Sequence, residues 1–183
     1  MDLDLDAVRM GRTGLSVSEL AFGTWRFGRE TAAGNLETDR ETAFDLLDTY
    51  ASAGGRFIDT ADVDGGGKSE RWIGSWLQDR DREEGLTADS TASDTEGWED
   101  RYLTPTNVDA LDVVRSVAEE VGATPAQVAL AYHRHHPDIT APILGARTTD
   151  QLEENLRTAT VSLSTDQADR LEAAKEGPFD NLV

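Results

Sequence analysis

The fold is decided by the stretch Phe57-Ile58-Asp59-Thr60-Ala61-Asp62-Val63-Asp64-Gly65-Gly66-Gly67-Lys68-Ser69-Glu70. It reads as the end of an apolar strand, a polar turn that begins with a carboxylate, three glycines and the start of a helix. Ser69 is the predicted cap of that helix. A strand whose carboxyl end passes through a tight turn into a helix is typical of a parallel sheet.

A similar unit precedes this stretch. The segment Leu20-Ala21-Phe22-Gly23-Thr24-Trp25 predicts a short buried strand, and a glycine-bracketed turn before it predicts a hairpin. A helix is expected to start near Asp39, because Thr38 and Glu41 have the spacing of a capping box, and to end at Gly54-Gly55. The alternation of strands and helices indicates an α/β fold.

The regular pattern is interrupted once and then resumes. Residues 1–78 form a predicted N-terminal segment, residues 79–100 a polar, acidic linker that is poor in aliphatic side chains, and residues 101–183 a C-terminal segment. In the last segment, Thr124-Pro125-Ala126-Gln127 combines a cap, a proline at the first helical position and a capping-box glutamine. An apolar strand is predicted within residues 139–144.

The chain is strongly acidic. Its 183 residues include 36 acidic and 17 basic side chains, which gives a formal net charge of −19. This charge argues against nucleic acid and anionic membrane surfaces as partners. Lys68 and Lys175 are the only lysines, and the composition indicates adaptation to a salt-rich, halophilic cytoplasm in which cations screen self-repulsion. An acidic protein of an ordinary cytoplasm is the alternative.

The absence of cysteine excludes a disulfide framework and a thiolate nucleophile or metal ligand. The first residues lack the basic and apolar regions of a signal peptide, and no window approaches the ~18 apolar residues of a membrane span. We therefore expect a cytoplasmic protein. His133, His135 and His136 crowd one predicted helix end, where the helix dipole explains them better than a metal site does.

Two separated blocks of the sequence carry a family resemblance, and they occur in the order that the family has. The first comprises Gly11-Arg12-Thr13-Gly14-Leu15, Gly23-Thr24-Trp25 and residues 57–65; the second comprises residues 124–130, Pro142-Ile143-Leu144-Gly145-Ala146-Arg147 and Gln151-Leu152-Glu153-Glu154-Asn155. Together these blocks resemble the aldo-keto reductases.

The resemblance implies an eight-stranded parallel barrel that reduces aldehydes and ketones with a nicotinamide cofactor, usually NADP. In that chemistry a tyrosine donates a proton to the carbonyl oxygen, because the developing alkoxide needs a nearby acid. A lysine and an aspartate tune the tyrosine, and a histidine orients the carbonyl. Asp59 matches the aspartate, whereas Asp64 stands in the place of the tyrosine. The lysine and the histidine belong at the ends of strands 3 and 4, which fall outside both blocks.

Asp64 has two interpretations. An exposed aspartate has a pKa of about 3.9 and is ionised at neutral pH, so it cannot donate a proton. We therefore expect a solvated turn residue; the alternative is a substitute acid whose pKa is raised by burial. Asp59 is expected to cap backbone N–H groups at its strand end, and its remaining alternative is a catalytic remnant.

The loop after the last predicted strand keeps more of the family pattern. Small residues there let backbone N–H groups approach a phosphate, and a helix capped by Thr148 points its positive end the same way. The alternative is a well-capped strand, turn and helix with no ligand. By resemblance, the cofactor-binding residues are Gly23, Thr24, Gly145, Ala146, Arg147, Gln151, Glu154 and Asn155.

The blocks together predict a partial (β/α)8 TIM barrel. Strands 2, 1 and 8 are neighbours in a closed barrel, so we expect a three-stranded parallel sheet in the order 2-1-8, with helices on one face. The other face and both edges would be open, and a second copy, a partner chain or a compensating rearrangement is expected to cover them. Three functions follow: an inactive aldo-keto reductase relative, an oxidoreductase completed by oligomerisation, and a protein that binds a dinucleotide or acts as a scaffold.

Overall fold

The computed structural model describes residues 3–78, 87–89 and 105–174, and of residues 87–89 and 105–109 it describes the backbone alone. The strands are β1 (Ala7–Arg9), β2 (Ser16–Ser18), β3 (Ala21–Gly23), β4 (Phe57–Asp59), β5 (Thr87–Asp89) and β6 (Ile143–Leu144). The helices are α1 (Arg40–Ser52), α2 (Lys68–Gln78), α3 (Pro105–Val121), α4 (Pro125–His135), α5 (Thr149–Leu156) and α6 (Thr165–Ala174). Short 3-10 helices cover Asp64–Gly66 and Arg157–Thr160.

The main sheet is parallel and has the order β5-β4-β3-β6. Strands β4, β3 and β6 are the predicted strands 2, 1 and 8, and their predicted order is confirmed. Strands β1 and β2 form the predicted antiparallel hairpin. The described strands do not close into a barrel, in agreement with the predicted partial barrel.

The fourth strand corrects the expectation that the outer edge of β4, the predicted strand 2, is an edge of the sheet. β5 lies within the predicted linker and pairs in parallel with the outer side of β4, with Ile58 opposite Ala88. The physical reason is that an edge strand presents unpaired N–H and C=O groups, which a nearby extended segment can satisfy with its backbone alone. The remainder of the predicted linker lies outside the described residues, so its solvated character stays a prediction.

One face of the sheet forms the main core. Phe22, Ile58 and Leu144 lie side by side in neighbouring strands and are at most 2% exposed. They belong to one cluster with Leu46 of α1 and Leu152 of α5. Because side chains alternate between the faces of a strand while helical ones recur every three to four residues, these spacings place one apolar face of each element against the others.

The opposite face of the sheet is more open. Ile143, the neighbour of Leu144 in β6, is 56% exposed, and Phe57, Gly23 and Asp59 are half-buried. Residues next to each other in a strand point to opposite faces. The sheet therefore has one covered face and one partly uncovered face, as the partial barrel predicted.

Helix α1 starts beside Asp39 as predicted, but the capping residues differ from the prediction at two helices. α1 is capped by Asp39, whose side chain accepts the N–H of Thr42, so the predicted capping box of Thr38 and Glu41 is wrong. Ser69 lies inside the first turn of α2 and is fully buried, so it is not that helix's cap. By contrast, the capping box of Thr124 and Gln127 is present in full.

A second, smaller core lies between α3, α4 and α6. Val117, Ala118, Val128 and Leu171 form its buried cluster. On its surface, Arg170 of α6 donates two hydrogen bonds to Glu120 of α3, at 2.7 and 3.0 Å. No helix within the described residues combines the length and the apolar character needed to cross a membrane.

A buried ion pair joins the N-terminal and C-terminal segments. Nη1 of Arg134 lies 2.7 Å from Oε2 of Glu19, and the side chains are only 11% and 9% exposed. Arg134 also donates to the carbonyl oxygens of Ala159 and Val161, and Glu19 accepts the N–H of Asp6. The Glu19 carboxylate and both Nη atoms of Arg134 therefore have hydrogen-bond partners, which a buried pair requires to be stable, whereas the buried Nε of Arg134 has none within the described residues.

Candidate functional site

The predicted site residues gather at one edge of the sheet. Thr24 follows β3, Asp64 follows β4 and Gly145 follows β6, and all three strands are parallel. The carboxyl ends of parallel strands meet at the same edge, where ligands bind in open α/β sheets. The structure thus brings together two short turns, one after β4 and one after β6, with the end of β3 between them.

The turn after β4 encloses Asp64. This side chain is 6% exposed, and its Oδ2 accepts the backbone N–H of Ala61 at 3.1 Å. The expectation of a solvated aspartate is therefore wrong. The three glycines Gly65, Gly66 and Gly67 all have positive φ, from 55° to 76°, which is the left-handed region that glycine adopts without strain. Their tight turn folds the carboxylate back against the chain.

The surroundings of Asp64 act on its pKa in opposite directions. Burial raises the pKa of Asp64, the hydrogen bond from Ala61 lowers it, and the carboxylates of Glu70 and Asp62 raise it further, with a net rise. The backbone N–H that it accepts stabilises the turn. The geometry directs one carboxylate oxygen to the protein's own backbone.

Asp59 and Thr24 join the ends of β4 and β3. The carbonyl oxygen of Asp59 accepts hydrogen bonds from the N–H and the hydroxyl of Thr24, both at 3.0 Å. Asp59 itself is half-buried on the open side of the sheet. The predicted capping of backbone N–H groups by the Asp59 side chain stays a prediction.

A cluster of hydroxyl groups lies behind this edge and was missed by the sequence interpretation. The Oγ of Ser69 lies 2.7 Å from the Oγ1 of Thr24 and 2.9 Å from that of Thr60. All three side chains are buried. The available signal was a threonine near the carboxyl end of each of two predicted strands, Thr24 within the first and Thr60 directly after the second, because equivalent positions in parallel strands are neighbours.

The turn after β6 is held by hydrogen bonds of its own. Nδ2 of Asn155 donates to the carbonyl oxygen of Gly145 at 3.1 Å, and the N–H of Arg147 donates to Oε1 of Gln151 at 2.9 Å. Thr148 caps α5 through the N–H of Gln151. These bonds fix the backbone of the turn while Gly145 and the Arg147 side chain stay exposed.

The remaining predicted cofactor residues have mixed surroundings. Ala146 is buried, and the carbonyl oxygen of Glu154 accepts a 2.7 Å hydrogen bond from Nε2 of Gln127. A Cβ atom on Gly145 would meet nothing within 4 Å, whereas one on Gly23 would lie 2.8 Å from Cγ2 of Ile143. Gly23 therefore permits close approach of β3 and β6, while Gly145 leaves open space at the edge.

An exposed tryptophan lies on the same edge. Trp25 is 45% exposed, and the guanidinium of Arg29 lies 3.7 Å from its ring centre. Arg29 and Arg26 both pair with Glu37. Trp25 is thus a rim residue, and the cation–π contact fixes its ring.

Lys68 and the histidines lie away from a catalytic arrangement. Nζ of Lys68 donates to the carbonyl oxygen of Gly28 and to Glu30, both at 3.2 Å. His135 and His136 line an open groove of about 210 Å³ beside Tyr132. Among the described residues, no group of three or more histidine, cysteine or acidic side chains is arranged to hold a metal ion.

Comparisons with known proteins agree on a common origin. The model of the aldo/keto reductase family matches residues 19–90 and 81–176, and the first match includes β5. A norsolorinic acid reductase of Aspergillus flavus is 45% identical over 67 residues, which are 37% of this chain and 17% of that protein. An aryl-alcohol dehydrogenase of Pestalotiopsis microspora is 46% identical over 66 residues, 36% of this chain and 17% of the relative.

A bacterial relative extends this pattern. An uncharacterised oxidoreductase of Bacillus subtilis is 42% identical over 72 residues, 37% of this chain and 20% of that protein. The matched region thus spans a fifth or less of the length of these curated relatives.

Proposed function

Because the chain belongs to the aldo-keto reductase family, we propose that it binds a nicotinamide dinucleotide at the turn after β6 and does not reduce carbonyl compounds as a single chain. The observation that carries this proposal is the turn after β6, whose backbone is held by hydrogen bonds to side chains of α5. Its side-chain hydrogen bonds are internal, since Asn155 donates to Gly145 and Gln151 accepts from Arg147, and the Arg147 side chain is left exposed.

Electrostatics favour the phosphorylated dinucleotide at this turn. Arg147 supplies a permanent positive charge, and the start of α5 adds the partial charge of a helix N-terminus. Asp150, in the first turn of α5, opposes that attraction. The proposed affinity therefore depends chiefly on Arg147, and NADP is the proposed form because its extra phosphate gives the guanidinium a bidentate partner.

The lack of carbonyl reduction is proposed from the turn after β4. Reduction needs an acid that faces the substrate oxygen, and Asp64 is buried with an oxygen turned to Ala61. Lys68, the lysine beside this turn, donates to Gly28 and Glu30, and it does not lie at the end of strand 3, where the resemblance places the catalytic lysine. The proposal places the protein in a salt-rich cytoplasm, in keeping with its net charge of −19.

Calorimetry at molar KCl tests the binding step. The wild type should bind NADP more tightly than NAD, and Arg147→Ala should weaken NADP binding about tenfold or more, as expected for the loss of a charged hydrogen bond worth about 1.5 kcal/mol. Arg115→Ala is the matched control, because Arg115 is an exposed arginine of α3 paired only with nearby Asp112 in the described contacts. Equal affinity of wild type and R147A would refute the assigned position.

An oxidation assay with NADPH and generic aldehydes tests the chemistry. We expect no turnover above that of a buffer control. Turnover that is abolished by Asp59→Asn would overturn this part of the proposal and leave the binding part standing.

An oxidoreductase completed by a second copy is the other candidate function. Two features favour it: β6 has one strand partner in the part of the chain that the structure describes, and one sheet face is partly uncovered. In that case the same assay should show turnover that rises more steeply than protein concentration.

A further inference from the structure

The main sheet has the strand number and direction of half a barrel. Its four strands are parallel and have the order β5-β4-β3-β6. A closed barrel of parallel strands with outer helices has eight strands. Strands β5 and β6 are the outermost ones, and each has one strand partner among the described residues.

The outer edge of β6 presents backbone groups for a further strand. On its inner side, the carbonyl oxygen of Pro142 accepts the N–H of Ala21 at 3.0 Å. In a parallel ladder, alternate residues direct their N–H and C=O groups to opposite neighbours. The backbone groups of Ile143 are therefore directed away from β3, to the side where the described residues supply no strand.

The two faces of the sheet differ in exposure as the two faces of an unclosed barrel would. Ile143 is 56% exposed on the face that a barrel would enclose, whereas Phe22 and Leu144 on the helix-covered face are at most 2% exposed. Phe57 shares the open face and is half-buried. A partly uncovered sheet face, to which Ile143 and Phe57 contribute apolar side chains, thus occurs together with two strand edges that have no further strand partner among the described residues.

We propose that two copies of this chain close one eight-stranded barrel, with β5 of each copy pairing in parallel with β6 of the other. A two-fold axis along the barrel axis keeps all eight strands parallel and makes the two new strand pairs identical. Both edges are then used at once, and Ile143 and Phe57 become interior. This inference does not depend on dinucleotide binding.

The charge of the chain makes this assembly salt-dependent. Each copy carries a net charge of −19, so two copies repel each other at low ionic strength. The screening length falls from about 10 Å at 0.1 M salt to about 3 Å at 1 M. We therefore expect a dimer in molar KCl and a monomer in dilute buffer.

Sedimentation velocity across protein and KCl concentrations tests the assembly. In molar KCl the wild type should have twice the 19.9 kDa mass of one chain. Ile143→Lys should raise the dissociation constant at least tenfold, because it places a charge inside the closed barrel. Leu111→Lys is the matched control, since Leu111 of α3 is also an exposed apolar residue, 40% against 56% for Ile143. Circular dichroism establishes that both variants are folded.

Disulfide trapping tests the arrangement of the strands. The chain has no cysteine, so single substitutions give an unambiguous cross-link. Ile143→Cys should form a mixed disulfide with one of Thr87→Cys, Ala88→Cys and Asp89→Cys in molar KCl. Strand neighbours come within the distance of less than about 7 Å between Cα atoms that a disulfide requires.

Three outcomes would overturn the proposal. A monomer at every salt concentration excludes the assembly, and an I143K variant that dimerises like L111K excludes the sheet face. A disulfide of I143C with itself in preference to the β5 variants indicates antiparallel pairing of two β6 edges, which cannot close a barrel of parallel strands.

Discussion

The turns after β4 and β6 lie at the same edge of one sheet, yet they differ in where their polar groups point. After β4, Asp64 is buried and hydrogen-bonded to Ala61. After β6, Asn155 and Gln151 hold the turn from within, and Arg147 remains exposed. The turn after β4 carries the clearest family motif, but its carboxylate is buried against the protein's own backbone. The turn after β6 instead keeps an exposed guanidinium that can face a ligand.

Breaking the ion pair that links the two segments should have the largest effect, because it leaves a charge buried without its partner. Arg134→Ala leaves Glu19 buried without its charge partner. The expected loss is about 3–5 kcal/mol in the free energy of unfolding. Urea unfolding at fixed KCl measures it.

The control for that variant is Arg170→Ala, which removes an ion pair whose side chains are 36% and 40% exposed. An exposed pair contributes about 0–1 kcal/mol. In addition, the double variant of Glu19→Gln and Arg134→Met should recover part of the loss, since no charge is then buried alone. Equal losses in R134A and R170A would contradict the role given to burial.

Adding a methyl group to one glycine in each turn should destabilise the turn after β4 but not the turn after β6. Gly65→Ala places a Cβ atom at a φ of +55°, where it overlaps the carbonyl oxygen of Phe27. We expect a loss of about 3 kcal/mol, from the left-handed conformation and the overlap together. Gly145→Ala meets open space and should change stability by less than about 0.5 kcal/mol.

The two glycine variants are compared by thermal unfolding and by NADP calorimetry. G145A should keep its melting temperature and lose affinity, whereas G65A should lose stability. The comparison fails if G145A unfolds as readily as G65A.

The smallest effect concerns the charge of Asp64. Its pKa is raised in the folded protein, chiefly by burial. The folded state therefore binds the proton more tightly than the unfolded state, so this group's contribution to stability falls as the pH rises from its ordinary pKa to its folded pKa. Asp64→Asn removes that dependence and keeps an oxygen that can accept the N–H of Ala61.

The measurement is the difference in unfolding free energy between the wild type and D64N, followed upward from about pH 4, near the ordinary pKa of aspartate. We expect the wild type to lose stability relative to D64N as the pH rises, because the folded state holds the proton of Asp64 more tightly than the unfolded state does. A difference that does not change with pH, or one that shifts in favour of the wild type as the pH rises, would contradict this.

The order of β4, β3 and β6 could be predicted because the motifs at their ends carry the family resemblance. The capping box of Thr124 and Gln127 could be predicted because both groups lie within one helical turn. At α1 the same spacing rule predicted Thr38 as the cap, but the cap is Asp39. The hydroxyl of Thr38 is instead buried and has no hydrogen-bond partner in the described structure. Adjacent polar residues compete for the cap, and local spacing cannot rank them.

Other features depend on contacts between distant residues. Ser69 has the sequence position of a cap, but its hydroxyl contacts Thr24 and Thr60 from two strands. Asp64 is buried by the path of three glycines, which composition indicates only as a turn. β5 joins the sheet through its backbone, so its polar sequence carried no apolar pattern to predict it.

The buried pair of Glu19 and Arg134 also limits when the chain can finish folding during its synthesis. The two residues are 115 positions apart. At about 5–20 residues per second, a ribosome needs about 6–23 s to pass from one to the other. Throughout that interval the nascent N-terminal segment lacks both the charge partner of Glu19 and the strand that completes the inner side of β3. A pause or a chaperone acting in those seconds would therefore change the yield of folded chain more than one acting after Arg134 has emerged.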